Sequence, residues 1–134
     1  MLTGSCLCGK VAFTVEGPLP DLYQCHCSLC RKVTGSANNT ATLVATSRFR
    51  WTRGEESIRS FVRDTGYRND FCACCGSTVP NLMRSGETMW IPAGLLDEPV
   101  GAAVTKHLFV ASKADWDEIG GTGQRFAGLP DRLP

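Results

Sequence analysis

Short apolar and β-branched segments, bounded by glycine, proline or charged residues, recur along the chain. Segment 11–15 (VAFTV) follows a Gly9-Lys10 turn, segment 40–46 (TATLVAT) is β-branched and apolar, and Phe49 and Trp51 alternate just after it. This composition is typical of β-strands, because branched and aromatic side chains pack well on a pleated surface. The same pattern predicts further strands at 57–62, 68–71, 89–93 and 107–110.

Helical periodicity is nearly absent from the chain. Only segments 28–33 and 113–119 have the composition of short helices, and the glycines of 120–123 predict irregular backbone. Because the chain has no internal repeat or linker, we predict a single, mainly β domain spanning residues 1–134. Its apolar segments are too short to build a thick core without help from metal.

Length and charge narrow the classes of function. The chain has 134 residues and a net charge of +1, from 14 basic and 13 acidic residues spread along it. Without a basic stripe or tail, neither nucleic acid nor an anionic membrane surface is an expected partner. No apolar stretch approaches the roughly 20 residues of a membrane span, and the start, MLTGSCLCGK, lacks the pattern of a signal peptide. We therefore expect a cytoplasmic protein.

The eight cysteines are the most informative feature of the composition. Seven of them form a C-x-C pair, a C-x-C-x-x-C trio and a C-x-x-C pair. In a cytoplasmic chain such closely spaced thiols are poor disulfide partners, but they suit a metal ion that gathers thiolates at about 2.3 Å. The spacing therefore favours zinc sites over a disulfide framework.

The two pairs predict a structural zinc site of four thiolates. Its ligands would be Cys6, Cys8, Cys72 and Cys75. A glycine follows each pair, and it permits the tight turn that aims backbone N–H groups at the sulfurs. Cys74 is a weaker choice than Cys75, because it would put Gly76 one position out of phase. The site would join the N-terminus to the middle of the chain.

The trio predicts a second metal site at the start of the short helix. Its ligands would be Cys25, Cys27 and Cys30. Three protein ligands with a vacant fourth position are the arrangement of catalytic zinc. His26, His107 or Cys74 could fill the vacancy, but His26 should project away from the metal if its segment is extended. His107 lies in a predicted strand and Cys74 neighbours the other site, so we favour an open site and expect two zinc ions per chain.

The three cysteine motifs, in this order, resemble those of the GFA family of glutathione-dependent formaldehyde-activating enzymes, also called the CENP-V domain. The similar segments are GSCLCG (4–9), CHCSLCRK (25–32) and FCxxCGS (71–77). The similarity continues through GLLD (94–97) and through 107–116, so that it covers nearly the whole chain. The combination of three motifs is highly specific, whereas any one alone would be weak.

The resemblance implies a β-tent fold, in which two or more small antiparallel sheets with short helical turns surround a structural zinc. It implies the structural ligands Cys6, Cys8, Cys72 and Cys75, and an active-site zinc on Cys25, Cys27 and Cys30. The implied activity is the addition of glutathione to formaldehyde to give S-(hydroxymethyl)glutathione, which is classed as carbon–sulfur lyase chemistry. The implied partners are a small-molecule thiol such as glutathione and a small aldehyde.

An open site of three thiolates suits thiol chemistry. A thiol that takes the fourth position loses its proton at neutral pH and stays nucleophilic toward an aldehyde. Water is a poorer match, because three thiolates donate so much charge that zinc acidifies water less well. Since glutathione is anionic, its pocket should offer cations. Arg31 and Lys32, directly after the last ligand, are the first candidates to bind it, ahead of Arg48, Arg50 and Arg53.

Two other functions compete with the enzyme. A fourth protein ligand at the trio would favour a non-enzymatic zinc-binding interaction module on the same scaffold. A redox role for the adjacent Cys74 and Cys75 is less favoured, because Cys75 is predicted to bind zinc and vicinal cysteines form strained disulfides. We therefore predict a zinc-dependent lyase that resembles S-(hydroxymethyl)glutathione synthase.

Overall fold

The computed structural model describes residues 1–132, so that Leu133 and Pro134, the end of the predicted domain, lie outside the described residues. The fold is mainly β, as predicted, with one seven-residue helix, α1 (Ser28–Thr34), and several short 3-10 helices. The strands are β1 (Leu2–Ser5), β2 (Ala12–Val15), β3 (Leu22–Cys25), β4 (Asn39–Ala45), β5 (Phe49–Arg53), β6 (Ile58–Val62), β7 (Arg68–Cys72), β8 (Asn81–Leu82), β9 (Thr88–Pro92), β10 (Val104–Leu108) and β11 (Gln124–Arg125). Within residues 1–132, no helix has the length and apolarity that crossing a membrane requires.

The strands form three sheets. β1, β2 and β5 make a three-stranded sheet, β6 and β7 make a hairpin, and the remaining strands form a six-stranded sheet in the order β11-β10-β3-β4-β9-β8. The predicted class of small antiparallel sheets is confirmed. Strand β10 adds a feature that the strand pattern did not predict, because it runs parallel to both β3 and β11.

The main core lies between the three-stranded and the six-stranded sheet. Phe13 and Val15 of β2 pack with Val44 of β4 and Ile91 of β9, and all four side chains are buried. Phe13 also stacks on Phe49, with ring centroids 5.4 Å apart. Alternation along β2 and β4 turns these side chains to one face, so the pattern that predicted the strands also builds the core.

The β6–β7 hairpin stands apart from this core. Four of the five β6 residues are exposed, whereas the base of the hairpin is anchored by Cys72, which is buried with Cys6, Val11 and Val79 in a separate cluster. The hairpin thus faces the six-stranded sheet across a groove.

The two predicted helices had different outcomes. Segment 28–33 is confirmed as α1, which begins after Cys27. The prediction of a helix at 113–119 is wrong, because the segment is irregular with a turn at 115–116. Its polar groups make other contacts: Lys113 Nζ donates to the carbonyls of Ala114 and Asp117, and the Asp117 carboxylate lies against His26.

Candidate metal centres

The C-x-C pair and the C-x-x-C pair meet in one cluster, although the two pairs are far apart in sequence. The cluster comprises Cys6, Cys8, Cys72 and Cys75, and their Sγ atoms all lie within 4.8 Å of one another. Cys6 and Cys72 are buried, Cys75 is half-buried and Cys8 is exposed. The first pair lies in the loop after β1, and the second pair lies at the end of β7. A hydrogen bond of 2.9 Å from Leu7 N–H to Ser77 Oγ joins these two segments.

The distances in this cluster fit zinc. Tetrahedral zinc with thiolates at about 2.3 Å holds its sulfurs about 3.8 Å apart. The Sγ atoms of Cys6 and Cys8 are 3.6 Å apart, and those of Cys8 and Cys72 are 3.8 Å apart. Thiolates are also the donors that zinc prefers in structural sites. These residues therefore form a candidate zinc site.

Backbone and hydroxyl groups form hydrogen bonds with two of the four thiols, Cys6 and Cys75, as they do in zinc sites. Val11 N–H donates to Cys6 Sγ at 3.3 Å, and hydrogen bonds with Ser77 lower the pKa of Cys75 to about 5. Gly9 and Gly76, which follow the two pairs, both have φ of 78°. This left-handed backbone favours glycine, and it turns the chain tightly after each pair.

The trio forms a second cluster, in which the Sγ atoms of Cys25, Cys27 and Cys30 also lie within 4.8 Å of one another. Cys25 ends β3, Cys27 caps α1, and Cys30 lies in the first turn, where its N–H donates to Cys27 Sγ at 3.3 Å. The change from strand to helix within this short segment is what gathers the three sulfurs. Three closely spaced thiols again suit zinc.

The protonation of the trio is unequal. A hydrogen bond from the Cys30 thiol lowers the pKa of Cys25 to about 6, although burial opposes this shift. The same hydrogen bond, with burial, raises the pKa of Cys30. The cluster without metal thus readily holds one thiolate, and a cation would favour the loss of the remaining protons.

The side chains considered as a fourth ligand have other partners. Within the described residues, neither His26, His107 nor Cys74 joins the trio. The Nε2 atom of His26 lies 3.1 Å from Nδ1 of His107, and both rings are buried beside Asp117 and a second cavity of about 570 Å³. Burial lowers the pKa of both imidazoles. Cys74 is exposed, and its Sγ lies 3.5 Å from Lys10 Nζ.

A groove of about 1150 Å³ lies beside the trio, between the hairpin and the six-stranded sheet. The side chains that line it next to the trio are Cys25, Cys30, Tyr23, Tyr67, Leu108 and Trp90. Trp90 Nε1–H donates to the Tyr23 hydroxyl at 2.8 Å, which fixes both rings in one wall. A groove of this size accommodates a ligand much larger than a small aldehyde.

The positive charge at the groove comes from residues that sequence reasoning missed. The arginines that line it are Arg68 and Arg84. Arg68 is paired with Asp70 at 2.8 Å, whereas Arg84 forms no ion pair within the described residues and donates from Nη2 to the Thr65 carbonyl at 3.0 Å. Nothing in the sequence indicated them, because neither belongs to a cysteine motif.

The basic residues that the sequence did indicate lie elsewhere. Arg31 and Lys32 are on α1 and are not among the described residues that line the groove. Arg48 and Arg53 donate to the backbone carbonyls of Glu16 and Gly9. Binding of an anionic substrate by Arg31 and Lys32 therefore stays a prediction.

Tyr67 is a further residue of the site that the sequence did not indicate. Its hydroxyl donates to Cys30 Sγ at 3.4 Å, across 37 positions of sequence. Burial raises the pKa of this hydroxyl, so that it stays protonated at neutral pH. A tyrosine next to a glycine in a hairpin turn carries no signal of its own, and only the fold brings it to the trio.

Known proteins share this chain's sequence and fold. The family model described as glutathione-dependent formaldehyde-activating enzyme matches residues 1–112. A Halomonas elongata protein, provisionally named a glutathione-dependent formaldehyde-activating enzyme, is 31% identical over 142 aligned positions, which cover 98% of this chain and 90% of the relative. A crystal structure of a Rhodobacter sphaeroides protein has a TM-score of 0.60 and 26% identity, and it covers 77% of this chain and 99% of its own.

These findings agree with the order and geometry of the cysteine motifs. The match to the family model includes both cysteine clusters and the hairpin between them. The predicted resemblance is therefore confirmed. The chain belongs to the family of glutathione-dependent formaldehyde-activating enzymes.

Proposed function

We propose that the protein is a zinc-dependent carbon–sulfur lyase of the S-(hydroxymethyl)glutathione synthase type. It would add a small-molecule thiol, glutathione or a similar one, to formaldehyde or another small aldehyde, and reverse that addition. The observation that carries the proposal is the cluster of three thiols whose members Cys25 and Cys30 line a large groove. The names of the family and of the Halomonas relative support the substrates.

The proposal assigns one zinc ion to each cluster. Cys6, Cys8, Cys72 and Cys75 would hold the structural ion, and Cys25, Cys27 and Cys30 the catalytic one. Bound to the trio, zinc supplies the Lewis acidity that keeps a substrate thiol deprotonated at neutral pH. Because both clusters need reduced thiols, the proposal places the protein in a reducing compartment such as the cytoplasm.

The protein's own residues would orient the reactants. The walls of the groove, with Tyr23, Trp90 and Leu108, would hold the body of the thiol beside the trio. In the addition, the thiol sulfur forms a bond to the carbonyl carbon and the π electrons of the C=O bond move to oxygen. The proton that the thiol lost ends on this oxygen, so that the reaction consumes no other reagent.

A direct test measures the exchange of thiol and aldehyde with their adduct. Zinc-loaded protein should accelerate this exchange for glutathione and formaldehyde, followed by NMR exchange spectroscopy, above the rate without protein. The same measurement with other thiol and aldehyde pairs ranks the substrates by rate, and Cys27→Ser protein serves as the control without an intact trio. Absence of acceleration for every pair would contradict the lyase. A metal-bound crystal structure with a fourth protein ligand at the trio would favour the interaction module instead.

A pair of variants tests which cation binds an anionic thiol. We expect Arg84→Gln to raise KM for glutathione by roughly ten-fold or more, since a hydrogen bond to a charged group is lost, and to change kcat little. An uncharged thiol such as 2-mercaptoethanol should be unaffected. Arg31→Ala is the matched variant: the same selective rise there would support the sequence-based prediction, and a rise in neither would exclude both as single anchors.

A further inference from the structure

Tyr67 occupies a fixed place at the tip of the β6–β7 hairpin. Its backbone carbonyl accepts from Arg63 N–H at 2.9 Å, and the turn is closed by a hydrogen bond from Gly66 N–H to the Arg63 carbonyl. The side chain is half-buried, lines the groove and brings its hydroxyl to 3.4 Å from Cys30 Sγ. The ring thus lies over the trio at the point where the groove reaches it.

The Tyr67 hydroxyl differs from the other hydroxyls of the groove in its partner. The Tyr23 hydroxyl accepts from Trp90, and Ser60 Oγ accepts from Arg68. The Tyr67 hydroxyl donates to Cys30 Sγ, which in the loaded enzyme would be a thiolate whose charge the zinc ion shares. Such a donor can shift to a stronger acceptor, and an oxygen that gains a full negative charge beside the trio is one.

The proposed addition creates such an oxygen. As the carbon–sulfur bond forms, the carbonyl oxygen gains negative charge until it takes up a proton. A donor aimed in advance at this position stabilises the transition state more than the ground state. Among the described residues that line the groove, Tyr67 is the one whose hydroxyl donates to a sulfur of the trio.

We propose that Tyr67 is a catalytic residue, whose hydroxyl donates a hydrogen bond to the aldehyde oxygen during addition and to the same oxygen during the reverse cleavage. This inference rests on the proposed function and adds a residue to it. Tyr67 keeps its own proton throughout, and the proton lost by the thiol returns to the product oxygen through solvent.

A different role for the same contact would be to orient Cys30. In that case the hydroxyl would act on the metal site and not on the substrate. Its loss would then loosen zinc at the trio and weaken thiol binding. A catalytic role leaves both quantities unchanged and acts on turnover alone, so the two roles differ in what they change.

The experiment compares Tyr67→Phe with wild-type protein after both are treated identically with zinc. We measure kcat for the glutathione–formaldehyde exchange, the dissociation constant of glutathione by calorimetry, zinc content and thermal unfolding. We expect kcat to fall by roughly a hundred-fold or more, as for the loss of one oxyanion donor, with the other quantities unchanged. Ser60→Ala removes the hydroxyl of another residue that lines the groove, and it should lower kcat far less.

Three other outcomes would overturn the catalytic role of Tyr67, and they can be told apart. If kcat of Tyr67→Phe stays within a few-fold of wild type, the catalytic role is wrong and the lyase proposal stands. If zinc content and glutathione binding fall together with kcat, Tyr67 acts through Cys30 and the catalytic role is again wrong. If wild-type protein accelerates no exchange, the lyase proposal fails and the role of Tyr67 fails with it. The first two outcomes appear only in the variant, and the third appears in wild type.

Discussion

Replacement of Cys8 by serine is expected to leave the protein unfolded or to remove most of its free energy of unfolding, although this side chain is exposed. A structural zinc site contributes about 10–16 kcal/mol in small metal-dependent domains, and a whole domain is stable by about 5–15 kcal/mol. An exposed thiol without metal would instead change stability by about 0.5 kcal/mol or less when replaced. Urea and thermal unfolding, followed by circular dichroism, measure the effect.

Cys74→Ser is the matched control for this prediction. Cys74 is also exposed and neighbours Cys75, but it lies outside the four-cysteine cluster. We expect its unfolding curve to overlap that of wild type. The comparison avoids the buried cysteines, where a serine would destabilise the core even without a metal. Native-like unfolding of Cys8→Ser would refute the structural zinc site.

The strands that the sequence predicted are those in which β-branched and apolar residues form a recognisable local pattern. Segment 40–46 corresponds to β4, because a β-branched segment buried against β9 has an apolar face of its own. Strand β11 was not predicted, since it is two residues long, exposed, and formed only through pairing with β10. The helix predicted at 113–119 failed for a related reason: tertiary contacts of Lys113 and Asp117 outweigh a weak local propensity.

The parts of the site that the sequence predicted are those whose residues lie close together in sequence. The trio lies within six positions, so spacing alone indicated that its sulfurs could meet. The glycine after each cysteine pair indicated that the pair of Cys6 belongs to the same site as the pair of Cys72, and this is again a local signal. The groove depends on a hairpin folding over a distant sheet, so no short window contains Tyr67 together with Cys30. Arg84 was missed for the same reason.

The two clusters are expected to release metal at different rates. Two ligands of the four-cysteine cluster, Cys6 and Cys72, are buried with Val11 and Val79, and four thiolates leave no open position on zinc for a competing ligand, so its metal should leave slowly. The trio borders a groove through which a chelator or a competing thiol can enter. Mild chelation of fully loaded protein should therefore remove one of two zinc ions, eliminate activity, and leave the far-UV circular dichroism nearly native.

Cys27→Ser should reproduce this half-loaded state without a chelator. We expect it to bind about one zinc ion and to keep its fold, because two thiolates rarely hold zinc well. Serine is a favourable helix N-cap and can accept the Cys30 N–H in place of the thiol, so α1 should persist. Metal content by mass spectrometry, paired with circular dichroism across a chelator titration, tests both expectations. If both ions leave together with loss of structure, or if Cys27→Ser unfolds as Cys8→Ser should, the trio is also structural. The lyase proposal would then lose its main physical support.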